Sequence, residues 1–299
     1  MLENEFVKLI KFNNIQMIDK KIVIPLTKSE IIEQHKFVNY LYDNNINVAY
    51  IFKLYRKNEY YCEIQKYIEN NRRKYNLEDL IKLLSIFHKV SKKYPFNFTK
   101  KNYYYHDFEC NGHRLNKILL GYDEKFHIYP LKNYSKFINI FKFNNNEKYI
   151  EIINFYNFCY NKIRNKYKNS LCIIHNDITK NNVVNSYNGL FLIDFDLCNY
   201  SYEIVDIADA VMIHFDNLTS LLNNIDELFD NLKNIVKLYN KFNNINLTMD
   251  DIIFQIFIKL VSYNCYVVLD LNNKKMFEKN FDILYDIMKL IKEECNVKN

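Results

Sequence analysis

Between Leu171 and Ala210 the chain reads LCIIHNDITKNNVVNSYNGLFLIDFDLCNYSYEIVDIADA. A short apolar run, Leu171 to Ile174, delivers His175, Asn176 and Asp177 into a polar loop that ends at Asn182. Two valines follow, then Asn188-Gly189, then a second apolar run from Leu190 to Ile193 that ends at Asp194. Carboxylates and carboxamides are hard oxygen donors. Magnesium prefers such donors and takes only one or two from protein, the rest coming from phosphate and water. Asn182 and Asp194 are therefore candidate metal ligands, with Asp177 just before them, if the fold brings the three together.

The turn between the apolar runs is what would do so. Asn-Gly flanked by apolar residues is the strongest short-range hairpin signal, because both central residues of the usual two-residue turn need positive φ. A turn at Asn188 and Gly189 sets Tyr187 opposite Leu190, Val184 opposite Ile193 and Val183 opposite Asp194. Asn182 then lies beside Asp194 at the open end of the ribbon, an arrangement that suits a metal–nucleotide site.

His175-x-Asp177 with Asn182, then Ile193-Asp194-Phe195-Asp196, then Asp206-Ile207-Ala208, resembles the catalytic core of kinase-fold phosphotransferases. It is most similar to the aminoglycoside phosphotransferase and choline kinase-like families. The resemblance is firm over about residues 171–210, looser from about 21 to 90 and close to absent elsewhere. Asn176 departs from it, standing where those families carry glycine. In so asparagine-rich a chain the H-x-D-x4-N spacing alone carries little weight; the flanking runs and the I-D-F-D that follows supply it.

The resemblance implies an α+β, bilobal, protein-kinase-like fold. A small β-rich nucleotide-binding lobe would occupy residues 1–68, and a larger, mostly helical catalytic and acceptor-binding lobe residues 69–299. It implies ATP or GTP as donor and Mg2+ as cofactor, held by Asn182 and Asp194. Asp177 would accept or orient the acceptor's proton, and His175 would serve the same loop by buttressing it. Asp206 would anchor the loop, and Asp196 would either assist at the metal or cap. Asp196 stands where a protein kinase has the glycine of D-F-G, and the stretch after it is too short for an activation segment. The acceptor is therefore expected to be a small hydroxyl compound of aminoglycoside, choline or amino alcohol, homoserine or sugar type. The rival reading is a non-catalytic kinase-fold module of spore-coat or scaffold type. Asn176, Pro25 and the lack of a glycine-rich loop favour it, and retention of Asp177, Asn182 and Asp194 opposes it.

Such a lobe needs a cation on the nucleotide phosphates, usually a strand lysine held by a helix carboxylate. Pro25 interrupts the expected strand and leaves Lys28 or Lys21, with Glu33 preferred over Glu30 as partner. QKYIE at 65–69 resembles the hinge, with Tyr67 or Ile68 facing the adenine.

Several elements would position these residues. Phe6 to Phe12, Ile15 to Ile18 and Lys21 to Leu26 read as strands separated by turns at Asn13-Asn14 and Asp19-Lys20. Thr27 or Ser29 caps a helix from about Glu30 to Asp43, which Asn44-Asn45 ends. Val48 to Tyr55 and Glu59 to Lys66 pair around Lys57-Asn58. Asn76 caps a second helix whose apolar stripe includes Leu80, Leu84 and Phe87, with His88 read as a core residue. Residues 96–147 are poorly patterned. Helices are expected over 148–169, 204–215, 218–240, 250–269 and 281–294. Glu203, Asp206, Asp209 and Asp216 would suit a cationic acceptor, although a solvated helix face accounts for most of them.

Composition narrows the classes. The 299 residues can hold one large domain or two lobes, and 49% hydrophobic with 25% charged residues is ordinary for a globular protein. The formal charge of +6 is spread along the chain with no basic stripe, which argues against nucleic acid. Seven scattered cysteines without a CxxC pair argue against a disulfide framework and against zinc. No run approaches a membrane span and MLENEFVKLIK lacks a signal-peptide layout, so a cytoplasmic location is expected.

Overall fold

The computed structural model describes residues 6–22, 26–98, 104–110, 113–118, 146–213, 218–243, 245–269 and 274–297. Pro25 and Asp216 lie outside them. The chain is mixed α+β, with a small antiparallel sheet at the N-terminal end and a helical portion after it.

The sheet contains β1 (Val7–Phe12), β2 (Ile15–Ile22), β3 (Ile51–Lys57) and β4 (Tyr60–Lys66), in the order β1-β2-β4-β3 and antiparallel throughout. Asn13 and Asn14 turn β1 into β2 with φ of 48° and 65°, the left-handed pair that a two-residue hairpin requires and that asparagine tolerates. The break expected at Asp19-Lys20 does not occur. β2 runs through it, and Ile18, Lys20 and Ile22 share the buried face at two-residue spacing. A strand can carry one lysine inward when its ammonium finds counter-charges, and Lys20 finds them, as described below.

Helix α1 (Lys28–Asp43) lies against β3. Its N-terminus is closed by a capping box. The Glu30 N–H donates to Thr27 Oγ1 at 3.3 Å, and the Thr27 N–H donates back to Glu30 Oε2 at 2.8 Å. Its C-terminus ends with Asn45 at φ 61°. The Asn45 N–H bonds the Tyr42 carbonyl and the Ile46 N–H bonds the Leu41 carbonyl, so asparagine fills the left-handed position that glycine usually takes.

Helix α2 (Leu77–Ser91) follows, capped by Asn76, whose side-chain oxygen accepts the Asp79 N–H at 2.7 Å. Within 96–147 the structure describes a hairpin, β5 (Tyr104–Cys110) with β6 (His113–Ile118), where no strands were expected. After it come α3 (Asn146–Tyr167), β7 (Leu171–Ile174), β8 (Val183–Ser186), β9 (Gly189–Leu192) and β10 (Asn199–Tyr202). The C-terminal helices are α4 (Ile204–Met212), α5 (Leu218–Asn223), α6 (Ile225–Phe242), α7 (Met249–Leu269) and α8 (Lys274–Glu294). α7 is the hub, packing on α3, α4, α6 and α8, while α2 packs on α4 and α6. Phe37, Leu84, Phe87, Phe195, Ile207, Tyr239 and Phe257 belong to one continuous apolar core. Phe195 lies 6.4 Å from Phe37 of α1 and 6.1 Å from Phe87 of α2, so the residue after Asp194 is fixed from both sides.

The segments that flank β3 and β4 are also tied directly to the β8–β9 ribbon. The Leu192 N–H donates to the Asn47 carbonyl at 2.9 Å, and the Asn71 N–H donates to the Asn185 carbonyl at 2.8 Å. No helix among the described residues is long and apolar enough to cross a membrane.

The capping box gives a direct test of what sets the start of α1. Thr27→Ala removes one side of it and should lower unfolding free energy by about 1 kcal/mol. Chemical denaturation measures this, and an unchanged midpoint would contradict the assignment.

Candidate active site

Strand β7 delivers His175 into the interior, where it is wholly buried. The backbone then takes a left-handed step at Asn176, φ 62°. Glycine would adopt this freely, and asparagine is the side chain that tolerates it best, which accounts for the departure noted at this position. The step is held by one buried carboxylate. Asp206, in the first turn of α4, accepts the His175 N–H at 2.8 Å and the Asn176 N–H at 2.7 Å. It also accepts His88 Nε2 at 3.0 Å, and His88 Nδ1 lies 2.7 Å from the Tyr239 hydroxyl. Tyr239 donates onward to Glu203, which Lys92 also meets. The expected solvated acidic face is therefore absent at these positions: Glu203 and Asp206 are buried and Asp209 is half-buried. Burial would raise the Asp206 carboxyl, but the hydrogen bond and charge of His88, with the charge and amide of His175, hold it below the usual carboxylate range.

His175 Nε2 donates to the Ile193 carbonyl at 2.9 Å, which joins the loop to the segment carrying Asp194. Its Nδ1 is buried with no hydrogen-bond partner, and burial depresses its proton affinity. His175 is thus a buttress inside the loop rather than a group at its surface.

The ribbon differs from its expected register. Ser186 pairs with Gly189, Val184 with Phe191 and Val183 with Leu192, so the turn residues are Tyr187 and Asn188, and Gly189 opens β9 at φ 105°. Neither Tyr187 nor Asn188 has positive φ, so this is not the mirror-image turn that Asn-Gly suggests. The two-residue turn is instead made by Tyr187 and Asn188, and the glycine takes its positive φ as the first residue of the returning strand, with the ladder in regular register from Ser186–Gly189 onward. The pairing of Val183 with Asp194 is lost. The Asn182 carbonyl instead accepts the Ile193 N–H at 3.0 Å, so Asn182 still sits at the point where the chain reaches Asp194.

Asn182 donates its amide to Asp177 Oδ2 at 2.7 Å and to the Asp177 carbonyl at 3.0 Å, which turns its own side-chain oxygen the other way. The Asp177 carboxyl is pushed up to about 7, first by burial and then by the charges of Asp194 and Asp209, against the opposing pull of Lys259 and Asn182. Lys259 of α7 pairs with Asp209 of α4. Burial raises the Asp209 carboxyl to about 6 despite that ammonium.

The cation that meets Asp194 is Lys20, and neither Lys21 nor Lys28 reaches the cluster. Lys20 Nζ lies 2.8 Å from Asp194, 2.7 Å from Asp196 and 3.6 Å from Glu63. Lys21 points away, its ammonium 3.3 Å from the centre of the Tyr60 ring, as the alternation of a strand demands. Lys28 is exposed at the start of α1. Glu33 is near Tyr94 instead, whose phenol is pushed up to about 12 by burial and by the Glu33 charge. Glu30 is engaged in the α1 cap. Burial alone would strip the Lys20 proton, but the carboxylates of Asp194, Asp196 and Glu63 hold it well above the usual lysine value. Asp194 and Glu63 are correspondingly lowered against their own burial, while burial and its acidic neighbours raise Asp196.

Tyr67 is half-buried, and Ile68 joins Ala49, Val184, Phe191 and Ile193 in a small apolar cluster separate from the main core. That cluster borders Asp194 through Ile193.

The donor set fits a hard divalent ion. Among the described residues no group of three or more His, Cys, Asp and Glu side chains could hold a metal alone. Asn182 and Asp194 instead offer one amide oxygen and one carboxylate, the sparse set of an ion that takes its remaining ligands from phosphate and water. Three carboxylates around one ammonium also leave an excess of negative charge for a cation to balance.

Lys20, Glu63, His35 and Gln34 were missed in the sequence. Isoleucine at either side of Lys20 was the available signal, since I-D-K-K-I alternates like a strand whose inner face carries the first lysine.

The anchoring of the loop by Asp206 is testable through stability. Asp206→Asn swaps an acceptor for a group that also presents N–H donors to N–H donors, and should cost about 3 kcal/mol. Because the folded-state carboxyl is depressed, its contribution is present above the unfolded value of 3.8 and lost as pH falls through the folded value. The difference in unfolding free energy between parent and variant should therefore shrink below about pH 4. A difference independent of pH would contradict a charged anchor.

No family model matches the chain, and no curated protein matches it in sequence. Solved structures do. An amicoumacin kinase, hAmiN, in complex with AMP-PNP, Ca2+ and Ami has a TM-score of 0.58 at 13% identity, covering 98% of this chain and 87% of that one. A choline kinase from Cryptosporidium parvum Iowa II has 0.55 at 13% identity, covering 96% and 89%. A thermostable mutant of the aminoglycoside phosphotransferase APH(4)-Ia has 0.54 at 6% identity, covering 100% and 94%. Along essentially its whole length, this chain has the fold of the kinase-type small-molecule phosphotransferases.

Proposed function

We propose that this chain transfers the γ-phosphate of ATP or GTP to a hydroxyl of a small molecule. The observation that carries the reading is the convergence of four side chains from distant parts of the sequence: Lys20, Asp194, Asn182 and Asp177. Phosphoryl transfer passes through a loose transition state, so alignment and charge neutralisation do most of the work. The Lys20 ammonium meets the nucleotide phosphates. The Asn182 amide oxygen and the Asp194 carboxylate hold magnesium, which when bound neutralises charge on those phosphates. The apolar side chains of Ile68, Val184, Phe191 and Ile193 receive the base, beside the backbone of Tyr67. Asp177 accepts the proton of the acceptor hydroxyl, and a carboxyl at about 7 is well matched to that task. The AMP-PNP and Ca2+ of the similar amicoumacin kinase structure support a nucleotide and a divalent ion here.

The acceptor is of aminoglycoside, amino alcohol, homoserine or sugar type. Asp177 and Asp209 bring two carboxylates to the same end against the one ammonium of Lys259, and the remaining negative charge favours a cationic compound. An inactive module is disfavoured, because the loop conformation at Asn176 is one that asparagine adopts without loss of the anchoring bonds.

Asp177→Asn should abolish turnover in a screen of ATP consumption over these acceptors while leaving Mg·ATP affinity within about twofold. It should also stabilise the protein. The raised folded-state carboxyl means that ionisation weakens the fold as pH rises from about 4 to about 7, and the neutral isostere escapes this. Discounted for partial exposure, the gain is about 1–2 kcal/mol at pH 8. Undiminished turnover in this variant would defeat the assignment.

Saturating Mg·ATP should raise the melting temperature, since a ligand at 100 times its Kd adds about 2.7 kcal/mol. Asp194→Ala should lose the magnesium-dependent part of that rise. A parent protein whose melting is unmoved by Mg·ATP would remove the basis of the proposal.

A further inference from the structure

We infer that the lysine of the nucleotide site is aimed by a strand carboxylate and a helix histidine, Glu63 and His35, which act as positioning residues for the nucleotide phosphates. The inference rests on the phosphotransferase reading above and adds residues that the sequence comparison with kinase-fold families did not supply.

Glu63 lies directly opposite Lys20 in the β2–β4 register and is 2% exposed. One of its carboxylate oxygens stands 3.6 Å from Lys20 Nζ, and the other is 2.8 Å from His35 Nε2 on α1. The inward residue of α1 next to His35 is not an acid but Gln34, 1% exposed, whose amide donates to Asp196 at 3.1 Å. The negative partner of Lys20 on the sheet side thus comes from the sheet itself, and α1 reaches the lysine through His35. A carboxylate on the neighbouring strand is locked to the lysine by the backbone ladder, whereas one on a helix moves with the helix. At 3.6 Å Glu63 attracts the ammonium without using up one of its N–H donors. The short contacts, to Asp194 and Asp196, come from the segment after β9 that carries the proposed magnesium ligand. Glu63 therefore holds the charge from behind, and His35 holds Glu63.

Binding of Mg·ATP and of adenosine to the full chain separates this from a general effect on the fold. Isothermal titration would compare the parent protein with K20M, E63Q, H35L and H35Q. E63Q and H35L should each weaken Mg·ATP by about tenfold, the worth of a charge-assisted hydrogen bond, and leave adenosine unchanged. H35Q, whose amide can still donate to Glu63, should recover most of the loss. If K20M loses phosphate-dependent affinity while E63Q and H35L bind like the parent, the inference is overturned and the phosphotransferase reading stands. Equal weakening of adenosine and Mg·ATP in H35L, or no recovery in H35Q, also overturns it. If the parent binds no Mg·ATP, or K20M binds it as the parent does, the underlying reading itself falls.

Discussion

The structure depends on a single buried ammonium. Lys20 is 7% exposed, and a lysine in that position is tolerable only if its charge is met. The carboxylates that meet it come from β4 and from the segment after β9, that is, from both parts of the molecule. The ammonium buried in the sheet thus also meets the segment that carries Asp194, and Asn182 and Asp177 lie beside that segment. Apolar packing continues the joint, with Phe195 inserted between α1 and α2 directly beyond Asp194.

A second buried charge does the equivalent work in the helical portion. Asp206 satisfies two successive backbone N–H groups at the left-handed step of Asn176, and against its burial the hydrogen bond and charge of His88 hold its carboxyl below the usual range. Rigid anchoring on one side leaves Asp177 free to be uncomfortable. It is held by Asn182, yet surrounded by enough burial and negative charge that its proton is retained to near neutrality. The same burial and neighbouring charge make ionisation of this carboxyl costly to the fold.

The local signals in the chain were read well where the chemistry is local. Thr27, Asn76, Asn13-Asn14 and Asn44-Asn45 cap or turn as their side chains and permitted backbone angles require. Failures came where two local solutions are equally good. Asn188-Gly189 can fill the two central positions of a hairpin turn or set its glycine at the start of the returning strand, and the chain takes the second, with Val183 and Leu192 paired and buried in the core. Asp19-Lys20 reads as a turn because paired charges usually face water, but here one of them is drawn inward by acids far away in sequence.

By itself the sequence determined the loop from His175 to Asn182, the acid after the second apolar run and the α+β character, because each is written in contiguous residues and their periods. Only the tertiary structure decided which lysine meets Asp194 and which strand carboxylate faces that lysine. Lys20 and Glu63 are neighbours through strand register, and Lys20 and Asp194 are 174 positions apart. No local pattern encodes such a pairing, since its free energy arises only when the charges are buried together.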